Sequence, residues 1–163
     1  MKTRKNKGFS LIELIIVLAI LGTVAAIAAP NFTRYRDNAN LKEAARDVSS
    51  DIQLYKQRAV AENVRYRITF NSGANNYVVQ RETTLNAGNF SANTLLTKDI
   101  GSANAIETYV AASFGGNPYI TFSPRGTIEE ATGSLTLRHT RRDSKAKINV
   151  TIMGRTYVEY TLK

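Results

Sequence analysis

The chain has 163 residues, enough for one domain with a modest core, and it carries a formal net charge of +9. It has no cysteine and one histidine, which excludes disulfides and thiolate chemistry and argues against a zinc site. Four of the 22 basic residues precede Gly8, so 18 basic and 13 acidic residues give the rest of the chain a charge of +5.

The first predicted element is an apolar helix that can span a bilayer. From Phe9 to Ala29 the 21 residues carry no charge except Glu13. At ~1.5 Å per residue this segment is ~31 Å long, close to the thickness of a hydrocarbon core. The basic residues before it favour the cytoplasmic side, so we expect the rest of the chain on the opposite side. A carboxylate in such a segment costs about 2.5–3.5 kcal/mol on insertion scales, so Glu13 is a candidate functional residue that needs a partner.

Two other interpretations of this segment stay open. A secretory signal peptide would be cleaved near Ala26–Ala28 or Ile27–Ala29, but Glu13 lies inside its apolar region and Pro30 follows directly. A plain single-pass anchor would leave the Gly8–Phe9 pair and Glu13 without a role. N-terminal sequencing of the membrane-extracted protein separates the three.

The N-terminal motif resembles the signal of type IV pilins and type II secretion pseudopilins, in which a basic leader ends in Gly, Phe follows, and Glu is the fifth mature residue. Gly8, Phe9 and Glu13 match it. The resemblance implies that a prepilin peptidase cleaves after Gly8 and methylates the amino group of Phe9. It also implies that Glu13 pairs with this amine as subunits form a fibre, and that Gly22 and Pro30 weaken or kink the helix.

Helical periodicity continues beyond Pro30 as far as Glu62–Asn63. Apolar residues recur at steps of three and four and form one stripe, while most charged residues lie off it. The stripe consists of Leu41, Ala45, Val48, Ile52, Tyr55 and Ala59. We therefore expect one bent helix over residues 9–62, with residues 30–62 as an amphipathic half that packs on a globular head. A separate coiled coil is the alternative.

Residues 63–163 change to a two-residue alternation that predicts a β-rich head. The predicted strands are Tyr66–Phe70, Tyr77–Arg81, Leu95–Ile100, Ile106–Ala111, Tyr119–Ser123, Leu135–Arg138, Ile148–Met153 and Tyr157–Leu162. Residues 71–76 and 154–155 are predicted hairpin turns, and residues 83–93 and 113–118 are predicted loops. One long helix followed only by strands predicts an α+β fold.

The head resembles the GspH/FimT branch of the pilin superfamily, whose members pack an N-terminal helix on two small antiparallel sheets. Ile120–Thr127, Gly133–Leu137 and Gly154–Arg155 carry this resemblance. It implies a minor pseudopilin, a non-enzymatic subunit of the periplasmic pseudopilus of a type II secretion system. The alternative is a minor pilin of a type IV pilus that acts in pilus assembly or DNA uptake. FimT-type pilins often carry a Gly-Arg-x-Arg tail motif linked to DNA uptake, and here Tyr157 replaces the second Arg.

A basic cluster in the last third of the chain is a candidate contact for nucleic acid or a protein partner. Its members are Arg138, Arg141, Arg142, Lys145 and Lys147, with Arg155 following in the Gly-Arg pair. Asp143 is the one acid within this run. Such a patch can bind phosphates, and Tyr157 and Tyr160 could offer stacking surfaces. A solvated hairpin loop in an already basic protein is the plainer interpretation.

The residues that could carry catalysis do not form a recognisable site. His139 lies among basic residues without a serine or cysteine nucleophile motif, which indicates a solvated loop. Glu129 and Glu130 are adjacent, so on a strand they would point to opposite faces. We therefore expect no enzyme activity, no cofactor and no metal.

The resemblance implies the partners and the location. The expected partners are other pilins or pseudopilins of the fibre, the prepilin peptidase and an inner-membrane assembly platform. The expected location is the bacterial inner membrane, crossed once, with the C-terminal head in the periplasm.

Overall fold

The structure, a computed structural model, describes residues 9–83, 88–90 and 93–163, with the side chain of Pro30 left out. Its helix α1 spans Leu11–Glu62, and a short 3₁₀ helix spans Ser102–Asn104. The strands are β1 Tyr66–Asn71, β2 Asn76–Arg81, β3 Thr94–Asp99, β4 Ile106–Phe114, β5 Tyr119–Phe122, β6 Gly133–His139, β7 Lys145–Val150 and β8 Thr156–Thr161. The chain divides between Arg36 and Asp37 into two units, which are described separately.

The first unit contains the apolar part of α1. A helical window within it has a mean hydropathy of 2.7, so the helix is long and apolar enough to cross a membrane. The helix begins at Leu11, two residues later than predicted, and its first bond runs from the Leu14 N–H to the Ser10 carbonyl, at 3.2 Å. The helix continues through position 30, so Pro30 does not end it. A kink at Gly22 or Pro30 stays a prediction.

In the second unit, the predicted apolar stripe of α1 forms one side of the hydrophobic core. All six residues of the stripe, from Leu41 to Ala59, are buried, with exposed fractions between 0 and 6%. The Tyr55 ring meets the Tyr66 ring of β1 at a centroid distance of 5.6 Å. Asn63 follows the helix in a left-handed conformation (φ 53°), which is typical of a helix C-terminal stop. The predicted buried stripe and the end of the helix at Glu62 are therefore confirmed, and residues 30–62 as the bounds of the amphipathic half stay a prediction.

Two four-stranded antiparallel sheets cover this face of the helix. We call the sheet with the order β3-β2-β1-β5 sheet A and the sheet with the order β4-β6-β7-β8 sheet B. In β1, Tyr66, Ile68 and Phe70 are buried, as their alternation predicts. Phe70 of sheet A and Phe114 of sheet B lie 6.0 Å apart between ring centroids, so one core joins both sheets. The α+β fold with a helix on small antiparallel sheets is confirmed.

The predicted boundaries of β4, β6 and β7 were wrong by two residues or more, and β6 begins at Gly133 and not at Leu135. The strand predicted at Ile148–Met153 is β7, Lys145–Val150, because Ala146 is a buried residue of its inner face and the flanking lysines belong to the outer face. The loop predicted at residues 113–118 begins too early, because β4 continues to the fully buried Phe114. In the loop predicted at residues 83–93, residues 84–87 and 91–92 lie outside the described residues, and Phe90 is buried.

The side chain of Asn75 joins the two sheets by hydrogen bonds. It lies in the β1–β2 turn with a φ of 49°. Its Nδ2 donates to the Ile106 carbonyl at 2.8 Å and to the Ser102 Oγ at 2.8 Å, and its Oδ1 accepts from the Thr108 N–H at 2.8 Å. The turn of sheet A is thereby fixed to the first strand of sheet B.

Gly133 provides a test of how closely β4 and β6 pack. A Cβ at this position would lie 2.0 Å from the Ser113 carbonyl oxygen and 2.6 Å from Phe114 Cδ1. We expect Gly133→Ala to lower the free energy of unfolding by about 1–3 kcal/mol, because β4 must shift to make room. Gly73→Ala is the matched control, since its Cβ meets nothing within 4 Å. Urea unfolding of the full chain in detergent micelles, followed by tyrosine fluorescence, measures both, and equal stability of the two variants would contradict this packing.

Candidate functional site

The predicted processing and assembly residues lie at the start of the first unit. Phe9 is 78% exposed and lies two residues before the helix begins at Leu11, and Glu13 lies in the first turn of the helix. A helix N-terminus favours a negative charge, since its free N–H groups carry partial positive charge. Gly8 lies outside the described residues.

The side chains around Glu13 form an exposed apolar surface in the described residues of the first unit. Every residue from Phe9 to Ala29 is exposed. The large side chains among them are Phe9, Leu11, Ile12, Leu14, Ile15, Ile16, Val17, Leu18, Ile20, Leu21, Val24 and Ile27. A helix that is apolar on all sides is stable in lipid or among other apolar helices. This segment therefore needs one of these two environments.

The structure brings three residues of the predicted basic cluster together on the outer face of sheet B. Arg138 of β6 lies opposite Lys145 of β7, and Lys147 follows two residues later on the same face. The Tyr109 ring of β4 lies beneath the first two, with the Arg138 Cζ at 4.5 Å and the Lys145 Nζ at 4.4 Å from its centroid. Such cation–π contacts stabilise positive charge on an exposed sheet.

Acidic residues from other elements neutralise much of this basic face. Glu107 of β4 accepts hydrogen bonds from Arg138, which raises the pKa of that guanidinium. Asp143 lies 3.3 Å from Lys145, and Glu159 of β8 is the register partner of Lys147. Sequence reasoning identified Asp143 alone as the opposing acid, which was wrong because the strand pairing that brings in the other acids is non-local.

Arg142 and His139 instead contact the helix. Arg142 Nε donates to the Asp37 carboxylate at 2.8 Å, and this bond is the main reason that the pKa of Asp37 lies below its usual value. His139 Nε2 lies 3.5 Å from the same carboxylate, and its Nδ1 accepts from the Arg141 N–H at 3.2 Å. His139 is 1% exposed, so its placement in a solvated loop was wrong.

Signals for this contact were present in the sequence. His139 continues the two-residue alternation of Leu135 and Leu137, which places it on the inner face of β6. Asp37 precedes Leu41 by one helical turn and so extends the buried stripe. A second contact beside it ties the turn after β6 to the helix, because Ser144 Oγ donates to Asn38 Oδ1 at 2.8 Å.

Arg155 does not join the basic face. It lies in the β7–β8 turn, beyond Val150, whereas Lys145 lies at the opposite end of β7. Gly154 adopts a left-handed conformation (φ 64°), and Lys56 Nζ of α1 donates to the Met153 carbonyl at 2.8 Å. The predicted hairpin turn at residues 154–155 is confirmed. Within the described part of the chain, no group of three or more His, Asp or Glu side chains could hold a metal ion.

Comparisons of the sequence with known proteins match both parts of the chain. The prokaryotic N-terminal methylation motif matches residues 3–29, and the family of type II transport protein GspH matches residues 44–154. Over 135 residues the chain is 30% identical to the type IV wide pilus major component of Thermus thermophilus, covering 82% of this chain and 93% of that protein.

Two further relatives match over shorter stretches of the chain. The type IV major pilin protein PilA of Myxococcus xanthus is 52% identical over 40 residues, or 24% of this chain and 18% of that protein. The type II secretion system core protein G of Dickeya chrysanthemi is 32% identical over 69 residues, or 40% of this chain and 42% of that protein. The matched parts therefore span less than half of either relative.

Solved structures of two minor subunits share the fold. The type IV minor pilin FimU of Pseudomonas aeruginosa superposes with a TM-score of 0.56 at 17% identity, covering 77% of this chain and 92% of that one. The minor pseudopilin EpsH of the Vibrio cholerae type 2 secretion system gives a TM-score of 0.53 at 9% identity, covering 73% and 94%. At these identities the likeness concerns the fold.

The Asp37–Arg142 contact predicts a pH-dependent stability. Because folding lowers the pKa of Asp37, its contribution is present above the ordinary carboxyl range near pH ~4 and is lost as the pH falls below it. We expect Asp37→Asn to lower the free energy of unfolding at neutral pH by about 1–2 kcal/mol, and by less at pH ~3. Urea unfolding of the full chain in micelles at both pH values measures this difference.

The exposed Asp47 provides the control for that experiment. It lies 3.6 Å from Lys98 with 61% of its side chain exposed, so Asp47→Asn should change stability by less than about 0.5 kcal/mol at either pH. A loss for Asp37→Asn that is the same at both pH values would contradict the assigned role of the charge.

Proposed function

We propose that this chain, which belongs to the GspH family of type II transport proteins within the type IV pilin superfamily, is a minor pseudopilin. It serves as a structural subunit of a periplasmic pseudopilus that supports protein secretion. The observation that carries this proposal is the GspH match over residues 44–154, which covers α1 from residue 44 onward and strands β1 to β7. The apolar N-terminal helix makes it a membrane-anchored, pilin-like protein.

The chain is organised for export and processing. Residues 1–8 form a leader that the prepilin peptidase removes between Gly8 and Phe9, and the enzyme methylates the new amino group of Phe9. The methylation motif over residues 3–29 supports this step. Residues 9–29 form the transmembrane and fibre-core helix, residues 30–62 the amphipathic half, and residues 63–163 the periplasmic head. The inner membrane is crossed once, and the partners are other pseudopilins and the assembly platform.

The proposed assembly step combines apolar packing with one ion pair. Moving the helix from lipid into a fibre exchanges one apolar environment for another, so the hydrophobic change is small. Glu13 and the terminal amine of Phe9, from the same subunit or a neighbour, then relieve each other's desolvation. A subunit in the wrong register would leave both charges unpaired, which is strongly unfavourable in an apolar interior. The pair therefore selects the register of assembly.

A minor pilin of a type IV pilus is the second candidate, since the structure also resembles FimU. Its DNA-uptake form receives less support, because Glu107 binds Arg138, Asp37 binds Arg142, and Arg155 lies apart from both. Of the candidate contacts, Arg141, Lys147 and Arg155 are exposed.

Deletion of the gene separates the two candidates. A pseudopilin is required for secretion through the outer membrane, so we expect secreted proteins to accumulate in the periplasm while surface pili and twitching motility persist. Immunoblots of periplasm and medium and electron microscopy of sheared pili measure both. Loss of pili with normal secretion would replace the proposal by the minor-pilin alternative.

The ion pair predicts a separation of processing from assembly. We expect Glu13→Ala to be cleaved after Gly8 but to enter the fibre at least about tenfold less, because removing one partner leaves the other charge buried and unpaired. Mass spectrometry of the N-terminus and immunoblots of sheared fibres measure the two steps. Leu14→Ala, which keeps the charge, should be cleaved and incorporated, and Gly8→Val should not be cleaved. Normal incorporation of Glu13→Ala would refute the role of the pair.

A further inference from the structure

The four edge strands of the head are not equally protected against pairing with another chain. Sheet A ends in β3 and β5, and sheet B ends in β4 and β8. Proteins protect such edges with bulges, short strands and prolines. The pairing of β3 with β2 shifts register at Val79/Gln80, β4 carries two register shifts against β6, and β5 has four residues. Only β8 among these described edges lacks such a device.

β8 is a regular strand with an open side. Its six residues pair with β7 without a shift of register. Its sequence from Thr156 to Thr161 consists of threonine, tyrosine, valine and glutamate, and the threonine, tyrosine and valine are typical strand formers. None of the described strands pairs with the other side of β8.

A groove of about 460 Å³ lies between β8 and the helix. The lining consists of Val158 from β8 and of Arg46, Ser49, Ser50, Gln53, Leu54 and Gln57 from the helix. Ser49 and Gln53 donate to the Thr156 Oγ1 at 3.0 and 2.7 Å, so the helix already contacts the first residue of β8, and the later residues of the strand stay available. Leu54 is 41% exposed and forms an apolar centre with Val158. Arg46 is the one charged residue of the groove lining, and no carboxylate lies beside it there.

We propose that β8 and this groove bind an extended segment of a partner protein, which adds to sheet B as a fifth strand. The backbone of the segment pairs with the free edge of β8, and alternate side chains enter the groove. The chemistry of the lining requires an apolar side chain over Leu54 and Val158 and an acidic side chain at Arg46. The inference goes beyond the fibre role and does not depend on it.

A second copy of this chain fits the groove less well. The residues of β8 that face the helix side are Thr156, Val158 and Tyr160, and none of them is acidic. A second β8 would therefore leave Arg46 without a partner. In the antiparallel register centred on Glu159, it would also place two carboxylates opposite each other, which is unfavourable. A segment of another protein that carries one acidic and one apolar side chain pairs with Arg46 and avoids the two opposed carboxylates.

Synthetic peptides test the proposal on the purified full chain in detergent micelles. The probe is a blocked peptide of sequence Asp-Thr-Val-Thr-Val-Thr, whose Asp and Val side chains lie on one face of a strand. One control peptide carries N-methyl groups on alternate amides, and another has Lys in place of Asp. Nuclear magnetic resonance titration gives the affinity, and amide hydrogen exchange shows which strand the probe protects.

We expect the probe to slow exchange in β8 and to bind about tenfold more tightly than the N-methylated peptide, which cannot pair along its edge. Arg46→Glu should lower the affinity for the Asp probe about tenfold and raise the affinity for the Lys peptide. Arg125→Glu, the matched change at an exposed turn residue, should leave both unchanged.

Three results would overturn the proposal. The first is no binding of the probe, or equal binding of the probe and the N-methylated peptide. The second is protection of β3, β4 or β5 in place of β8. The third is protection of β8 that rises with the concentration of the chain alone, which would assign the edge to a second copy. None of these results bears on the secretion defect that tests the pseudopilin role.

Discussion

The structure depends on one helix whose two parts need different surroundings. From Leu41 to Ala59 the apolar stripe is covered by the two sheets of the same chain, so the head supplies the burial that this part requires. From Phe9 to Ala29 every side chain is exposed in the described part of the chain. Residues 41–59 are therefore part of a folded domain, and residues 9–29 require a membrane or a bundle of similar apolar helices. The proposed anchoring and assembly rest on this difference.

Polar contacts fix the head around this helix at points where apolar packing alone would leave freedom. The Asp37 carboxylate forms an ion pair with Arg142 and lies near His139. These contacts hold the turn after β6 against the helix. The side chain of Asn75, in the β1–β2 turn of sheet A, forms hydrogen bonds with the Ser102 hydroxyl and with two backbone groups of β4 in sheet B. The outer face of sheet B, by contrast, pairs most of its cations with acids and remains solvated. The charge of the head is therefore used chiefly to position elements.

Periodic and local features could be predicted from the sequence, and pairwise features could not. The buried stripe of α1, the alternation of β1, the turn at residues 154–155 and the α+β fold follow from spacing within short windows. The acids opposite Arg138 and Lys147 come from strands that neighbour them only after folding, so no local window contains them. His139 was misplaced because its charge type was weighed above its position in the alternation. The edge of β8 and its groove exist only in the assembled sheet, and the sequence carries no local sign of them.

The packing around Lys56 gives the Gly154–Arg155 pair a structural role. A Cβ on Gly154 would lie 3.0 Å from Lys56 Cδ and 3.1 Å from the Gly126 carbonyl oxygen, and a Cβ on Gly126 would lie 3.2 Å from Val60. Two turns that are distant in the chain thus stack on one lysine stem. Substitutions at positions 56, 126 and 154 should therefore be coupled during evolution, and the glycines should persist in homologues that have lost the neighbouring arginine. The Gly154–Arg155 motif therefore serves the packing of two turns on the helix as well as the exposed surface.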